Sequence, residues 1–267
     1  MLTPSALVEL AAKGGCDAVA LTDHDTTEGL HEARDAAARA GVRLIPGVEI
    51  SVTWDTRRSK TTLHIVGLNI DPGHSELQAG LKNIRDGRRV RAALIAADFD
   101  RIGIKGTLEG AYRHAENPDM IGHTHFARCL VEQGVVREVG AVFHRFLVHG
   151  KPGYVAHQWA TLAEAVGWIK AAGGIAVIAH PGRYKITAQE MRELLVEFKQ
   201  LGGEAIEVVT GSHTRQQFSQ YARLAREFGF HASRGADYHG PGESAYSPGK
   251  LPPLQADLAP VWQLFAN

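Results

Sequence analysis

Ile175-Ala176-Val177-Ile178-Ala179-His180-Pro181 is the stretch on which the fold turns. Five apolar residues between Gly173-Gly174 and His180-Pro181 read as a buried strand that delivers a histidine at its exit. The same construction recurs twice. Ala18-Val19-Ala20-Leu21 runs into Thr22-Asp23-His24-Asp25, and His231-Ala232-Ser233 runs into Gly235-Ala236-Asp237-Tyr238-His239. Barrel active sites occupy the face where parallel strands end, so histidines and carboxylates repeated at such exits predict a shared metal site at one end of a β/α barrel. Metal-dependent hydrolysis is the chemistry this predicts.

The 267 residues suit one large α/β domain with an insertion. Lysine plus arginine equals aspartate plus glutamate at 29 each, which argues against wholesale nucleic-acid binding and against a DNA-binding module. Cys16 and Cys129 form no CxxC motif, no apolar run reaches membrane-spanning length, and the first residues lack the charged and apolar regions of a secretory signal. The expectation is a cytoplasmic protein.

Six strands are expected, at 16–22, 43–51, 62–70, 175–179, 205–210 and 231–236, alternating with helices in βαβ units and hence forming a parallel sheet. Thr3 and Pro4 open a first helix that Gly14-Gly15 closes. A second helix is expected from Thr26 or Thr27 to Gly41, and further ones over 161–172, 188–201, 213–228 and 256–265. Residues 54–60 read as a polar, hairpin-like or irregular loop. The stretch 76–158 carries helical patterns only, with Leu77, Leu81, Ile84, Leu94 and Ile95 on one face and shorter helices over 107–115, 124–133 and 137–148. The expected organisation is therefore a barrel from 1–75 and 159–267 with a helical insertion at 76–158.

His24, Glu49, His64, His180, Asp237 and His239 are the candidate ligands. Imidazole suits zinc, manganese and iron, carboxylate suits manganese and magnesium, and a mixed set favours a site with more than one ion. Glu49 has two oxygens with which to bridge a pair. Taken singly, a strand-end histidine is more often a hydrogen-bonding or surface residue; the joint recurrence carries the reading. Asp23 and Asp25 read as helix caps or as groups that support His24.

These segments resemble the polymerase and histidinol phosphatase (PHP) superfamily over nearly the whole chain, and within it the branch of 3′,5′-nucleotide bisphosphate phosphatases and ribonuclease AM. The resemblance is carried by A-L-T-D-H-D-T-T-E-G-L (20–30), L-I-P-G-V-E-I-S (44–51), H-I-V-G-L-N-I (64–70), H-F-A-R (125–128), G-K-P-G-Y-V (150–155), A-H-P-G-R-Y (179–184) and G-A-D-Y-H (235–239). It implies a distorted seven-stranded β/α barrel with up to three divalent ions, manganese or magnesium. By that likeness His24 and His239 serve one ion, and Glu49 bridges two others, with His64 and His180 on one and Asp237 on the next. The family's opening strand, ending in His-x-His, has no counterpart before Leu2-Thr3-Pro4. The expectation is a barrel lacking its first strand, from a start placed downstream of the natural one or from a shortened form, that holds fewer than three ions.

Lys82 to Arg91 (KNIRDGRRVR) holds five basic residues and one acid, with Arg85, Arg88, Arg89 and Arg91 on offsets that bring several to one side of a helix. Composition alone is equally served by a solvated basic face. The resemblance assigns Arg88, Arg91 and His125 to the 5′-phosphate of a nucleotide or short RNA, and gives His123 no role, which leaves it a surface residue. The implied reaction is attack by a metal-activated hydroxide on the 3′-phosphate of a nucleoside 3′,5′-bisphosphate, or on the first internucleotide phosphate of 5′-monophosphorylated RNA. A different phosphatase, such as one of the histidinol phosphatase kind, and an inactive nucleotide-binding remnant are the alternatives.

Overall fold

A computed structural model describes residues 2–56, 60–157, 159–241 and 244–265. The chain divides into two compact units, one from residues 1–81 and 160–267 and the other from residues 82–159.

In the first unit, α1 (Pro4–Lys13) is capped by the Thr3 hydroxyl, which accepts the Ala6 N–H. Then come β1 (Ala18–Leu21), α2 (Leu30–Ala40), β2 (Arg43–Asp55), β3 (Lys60–Leu68) and α3 (Ser75–Arg101), the last of which continues into the second unit. That unit contains α4 (Thr107–Arg113), α5 (His123–Glu132) and α6 (Val139–Val142), the last running into a π-helical turn at Phe143–Leu147. The first unit resumes with α7 (Leu162–Ala171), β4 (Ile175–Ile178), α8 (Ala188–Gln200), β5 (Ala205–Thr210), α9 (Arg215–Phe228) and β6 (His231–Gly235). Three of these helices start alike: Thr161, Thr187 and Thr214 each exchange hydrogen bonds with Glu164, Glu190 and Gln217 three residues on. Gly41 and Gly229 end α2 and α9 in the left-handed conformation that glycine takes without steric cost.

The six strands lie side by side in sequence order. β1–β2, β4–β5 and β5–β6 are parallel. β3 is antiparallel to both neighbours, which corrects the all-parallel expectation. No crossover helix separates β2 from β3, and antiparallel strands need only a short turn where parallel ones need a dozen residues or more. β1 pairs with residues 43–46 of β2, while β2 itself continues to Asp55 opposite Lys60. Trp54 therefore lies buried in a strand and not in a loop; Arg57 to Ser59 of that expected loop fall outside the described residues.

One core of the first unit gathers Ile45, Val66, Leu68, Ile175, Val177, Ala205 and Val261 against the sheet. Phe99, Phe126, Phe146 and Leu130 centre the core of the second unit. Four expectations shift. The terminal segment forms only a 3-10 turn at Val261–Leu264, since Pro260 lacks the N–H that a longer helix would use. α2 begins at Leu30 because the Thr26 hydroxyl turns the chain at Glu28 first. The helix expected over 137–148 is α only from 139 to 142. Leu94 is 51% exposed, off the buried face formed by Leu77, Leu81, Ile84 and Ile95.

Candidate metal centre

Glu49 sits in the extended half of β2, level with the end of β1. The β1–β2 ladder resumes there: Glu49 N–H donates to Asp23 O at 3.0 Å and Asp25 N–H donates to Glu49 O at 2.9 Å, which sets His24 beside Glu49. Asp25 is wholly buried with φ 52°, and its carboxylate accepts both the Ser51 N–H (2.8 Å) and the Ser51 hydroxyl (2.9 Å). It clamps the His24 turn to β2 and does not cap a helix. Ser51 lies opposite His64 in the register, so Glu49, two residues earlier on the same face, is the diagonal neighbour of His64. Glu49 and His64 are thus mid-strand residues brought to the site by the hairpin, not strand-exit residues.

His180 follows β4. Its Nε2 lies 2.9 Å from Glu49 Oε1 and 3.3 Å from His64 Nδ1, and His64 Nδ1 lies 2.8 Å from that same oxygen. His24 Nδ1 is 3.8 Å from Glu49 Oε2. Asp237, after β6, receives Arg183 Nη1 at 3.2 Å. Two sets of candidate donors emerge, His24–Glu49–His64 and Glu49–His180–Asp237, each with its atoms within 4.8 Å of one another. Five of the six residues expected from the sequence fall in these sets, which share Glu49. His64 joins His24, and His180 joins Asp237. His239 belongs to neither; its ring centre is 6.1 Å from that of His24, and its Nδ1 is 3.0 Å from Asp237 O.

The backbone is unusual where these residues sit. Asp25, Asn69, His180 and Asp237 have positive φ without being glycine. Three of the four lie in the strand-exit motifs, and such conformations cost about 1–3 kcal/mol each, so they persist where surrounding contacts enforce them. At His180 (φ 26°) the enforcement is dense. Glu207 Oε2 accepts the His180 N–H at 2.5 Å. His213 Nε2 accepts the Gly182 N–H at 2.9 Å, Gln217 donates to Gly182 O at 3.1 Å, and the Tyr184 hydroxyl donates to Ala179 O at 2.6 Å.

Burial acts to raise the Glu49 carboxyl, but the charge of His24 and hydrogen bonds from His180 and His64 outweigh it and hold Glu49 well below the usual carboxylate range. Glu207 behaves in the opposite way. Burial pushes it up to about 8; the His180 N–H pulls against that, and the charges of Asp237 and Glu49 push further up. Burial also raises Asp23 and draws His213 down to about 4.

The residues fit a divalent ion. Ligands about 2.1 Å from an octahedral ion stand ~3.0 Å apart, and the Glu49–His64–His180 edges of 2.8, 2.9 and 3.3 Å match that spacing. Sequence reasoning missed Glu207 and His213. A signal existed for the first: Glu207 is the one acid in the apolar run Ala205 to Val209.

The second unit gathers the basic residues. Arg85 Nε lies 3.3 Å from Asp119 and Arg89 Nη2 2.5 Å from the same carboxylate, while Arg89 Nη1 reaches Asp86 at 2.9 Å. Arg88 stacks 4.2 Å above the Trp159 ring and Arg91 lies 6.0 Å from it. Arg91 Nε donates to Val155 O at 3.0 Å, and its Nη2 lies 3.0 Å from His123 Nε2. His123, expected at the surface, is packed against Arg91; burial and then the Arg91 charge draw it down to about 4, so it stays neutral beside the guanidinium. His125 Nδ1 accepts the Gly122 N–H at the start of α5.

A six-stranded α/β sheet unit with a histidine–carboxylate cluster defines a hydrolase of the metal-dependent kind. The PHP domain model matches residues 1–211, and the chain belongs to that family, whose members are metal-dependent phosphoesterases. It is 47% identical to the 3′,5′-nucleoside bisphosphate phosphatase of Chromobacterium violaceum, over 98% of this chain and 90% of the relative. It is 41% identical to the 5′-3′ exoribonuclease Rnm of Escherichia coli, over 99% of this chain and 89% of the relative. A solved amidohydrolase structure from Chromobacterium violaceum, with bound sulfate and no metal, superposes at a TM-score of 0.86 with 47% identity, covering 98% of this chain and 90% of that one. A structure from Bifidobacterium adolescentis shares the fold at 24% identity and a TM-score of 0.73, covering 98% of this chain and 88% of that one. No described helix is long and apolar enough to cross a membrane.

Proposed function

We propose that the chain removes the 3′-phosphate of nucleoside 3′,5′-bisphosphates, removes 5′-nucleotides from 5′-monophosphorylated RNA, or does both. The observation that carries this is the convergence of His24, His64, His180 and Asp237 on the buried carboxylate of Glu49. The relatives named above are a 3′,5′-nucleoside bisphosphate phosphatase and a 5′-3′ exoribonuclease, and the two proposed substrates present one problem: a phosphate ester beside a ribose that carries a second phosphate.

The metal ions, manganese or magnesium and one for each donor set, would be held by His24, Glu49, His64, His180 and Asp237, with His239 as a further ligand. When bound, such ions activate water and neutralise charge on a phosphoryl group. The protein's part is to keep these donors deprotonated and aligned. Glu49 is held ionised by its histidines, and both donor sets include it. The histidine nitrogens that face Glu49 need their lone pairs for metal, so binding weakens as the imidazoles protonate.

For phosphate recognition, the favoured groups are Arg88, Arg91 and His125 of the helical unit. Arg85 and Arg89 are paired with Asp119, which leaves them a structural task. Arg91 is pre-set by Val155 and His123, and a fork held in place loses less freedom on meeting a phosphate.

The test is product analysis with manganese on adenosine 3′,5′-bisphosphate, a 5′-monophosphorylated oligoribonucleotide, histidinol phosphate and an aryl phosphate. Release of phosphate from the first, or of mononucleotides from the second, in clear preference to the last two supports the reading. Turnover of histidinol phosphate alone would replace it.

A further inference from the structure

We infer that Glu207 is a positioning residue of the metal centre, holding the His180 peptide so that the imidazole reaches Glu49 and His64. This rests on the reading of that cluster as a metal site. Glu207 lies on β5, between β4, which delivers His180, and β6, which delivers Asp237. Its carboxyl is buried in a strand otherwise apolar up to Thr210. A group so placed is costly to bury unless it makes a hydrogen bond that the fold needs.

Two separate features show where that bond goes. One is the 2.5 Å contact from the His180 N–H to Oε2, at a residue whose φ of 26° is outside the range that non-glycine residues adopt freely. The other is Gly235, where an added Cβ would stand 3.1 Å from Glu207 Oε1. The absence of a side chain at the β6 exit keeps open the space that the carboxyl occupies. Turning the His180 peptide away would carry the imidazole off Glu49, because the side chain leaves from the same Cα. His213 and Gln217 brace Gly182 after this residue and Tyr184 braces Ala179 before it, but among the described residues only Glu207 holds the His180 N–H.

Glutamine keeps an acceptor oxygen at this position and alanine does not, so the pair separates the hydrogen bond from mere filling of space. The measurement is manganese affinity by competition with a chromophoric chelator, for the unaltered chain and for Glu207→Gln, Glu207→Ala and His180→Ala, with thermal unfolding of each metal-free protein alongside. Glu207→Ala is expected to weaken manganese binding about 10–100-fold, the loss typical when a ligand's supporting bond is removed. Glu207→Gln should stay within about threefold of the unaltered chain, and His180→Ala should lose more than either. If His180→Ala binds manganese like the unaltered protein, the metal reading itself falls. If His180→Ala loses binding and Glu207→Ala does not, or if Glu207→Gln is as weak as Glu207→Ala, the positioning role falls alone. Should Glu207→Ala fail to fold, amide hydrogen exchange at His180 in the unaltered metal-free protein decides. Protection well above that of an open turn supports the role, and exchange at the open-turn rate overturns it.

Discussion

Around Glu49, His180 stands 131 positions further along the chain and is brought to it by the sheet. In the helical unit, Arg85, Arg88, Arg89 and Arg91 occupy less than two turns of α3. The first cluster depends on register. A slip of one residue in the β2–β3 pairing would carry His64 to the opposite face of the sheet, because side chains alternate along a strand. The second depends on helical repeat alone, and its specificity comes from what packs on it: Asp119 takes Arg85 and Arg89, while Trp159 takes Arg88 and Arg91. Damage in the sheet unit is therefore expected to remove chemistry altogether, and damage in the helical unit to change which substrates are favoured.

The largest expected effect is at Glu49. Glu49→Gln should lower turnover by about 10³-fold or more on every phosphate ester, aryl phosphate included, because losing the carboxylate common to both donor sets costs on the order of 4 kcal/mol in the transition state. A loss confined to nucleotides would erase the contrast between the units. Asp25→Ala comes next. It strips the buried Ser51 N–H and hydroxyl of their acceptor and should lower stability by about 3 kcal/mol, read by chemical denaturation. An unchanged midpoint would show that the His24 turn is held by other means.

Arg88→Ala and Arg91→Ala are expected to cut kcat/KM by about 10–100-fold for 5′-phosphorylated substrates, the worth of one charge-assisted hydrogen bond. Turnover of an aryl phosphate should change by less than about threefold. Equal losses on both would place the arginines outside phosphate recognition.

The smallest effect concerns His123. Its folded pKa of about 4 lies below the unfolded value near 6.5, so protonation favours the unfolded chain. Its contribution to stability is complete above pH 6.5 and is lost as pH falls towards 4. Between pH 7 and 5 this amounts to ~2 kcal/mol before solvent screening and about 1 after it. His123→Phe should flatten that part of the stability–pH curve, and an unaltered slope would mean that His123 is not held neutral.

Much of this was legible in the residues. β1, β4, β5 and β6 lie within a residue or two of their expected ends, because apolar runs bounded by glycine and by the histidine motifs leave little freedom. The direction of β3 left a trace that went unused: the short, hairpin-like connector after β2 has no room for the crossover that parallel pairing needs. Spacing alone could not show that His64 Nδ1 and His180 Nε2 meet at one Glu49 oxygen, since that follows from register and from the positive φ at His180. His123 was misjudged for a related reason. A histidine two residues before the motif histidine reads as surface until Arg91 is seen packed against it. Glu207 left a trace that went unused, because an acid inside an apolar strand has a partner or a function.

Glu49 is the carboxylate on which the two sets of candidate metal donors meet. The most direct test is equilibrium dialysis against manganese, with elemental analysis, of the unaltered chain and of Glu49→Gln. Two ions per unaltered chain and the loss of both in the variant are expected. Retention of the full count at unchanged affinity by Glu49→Gln would contradict this.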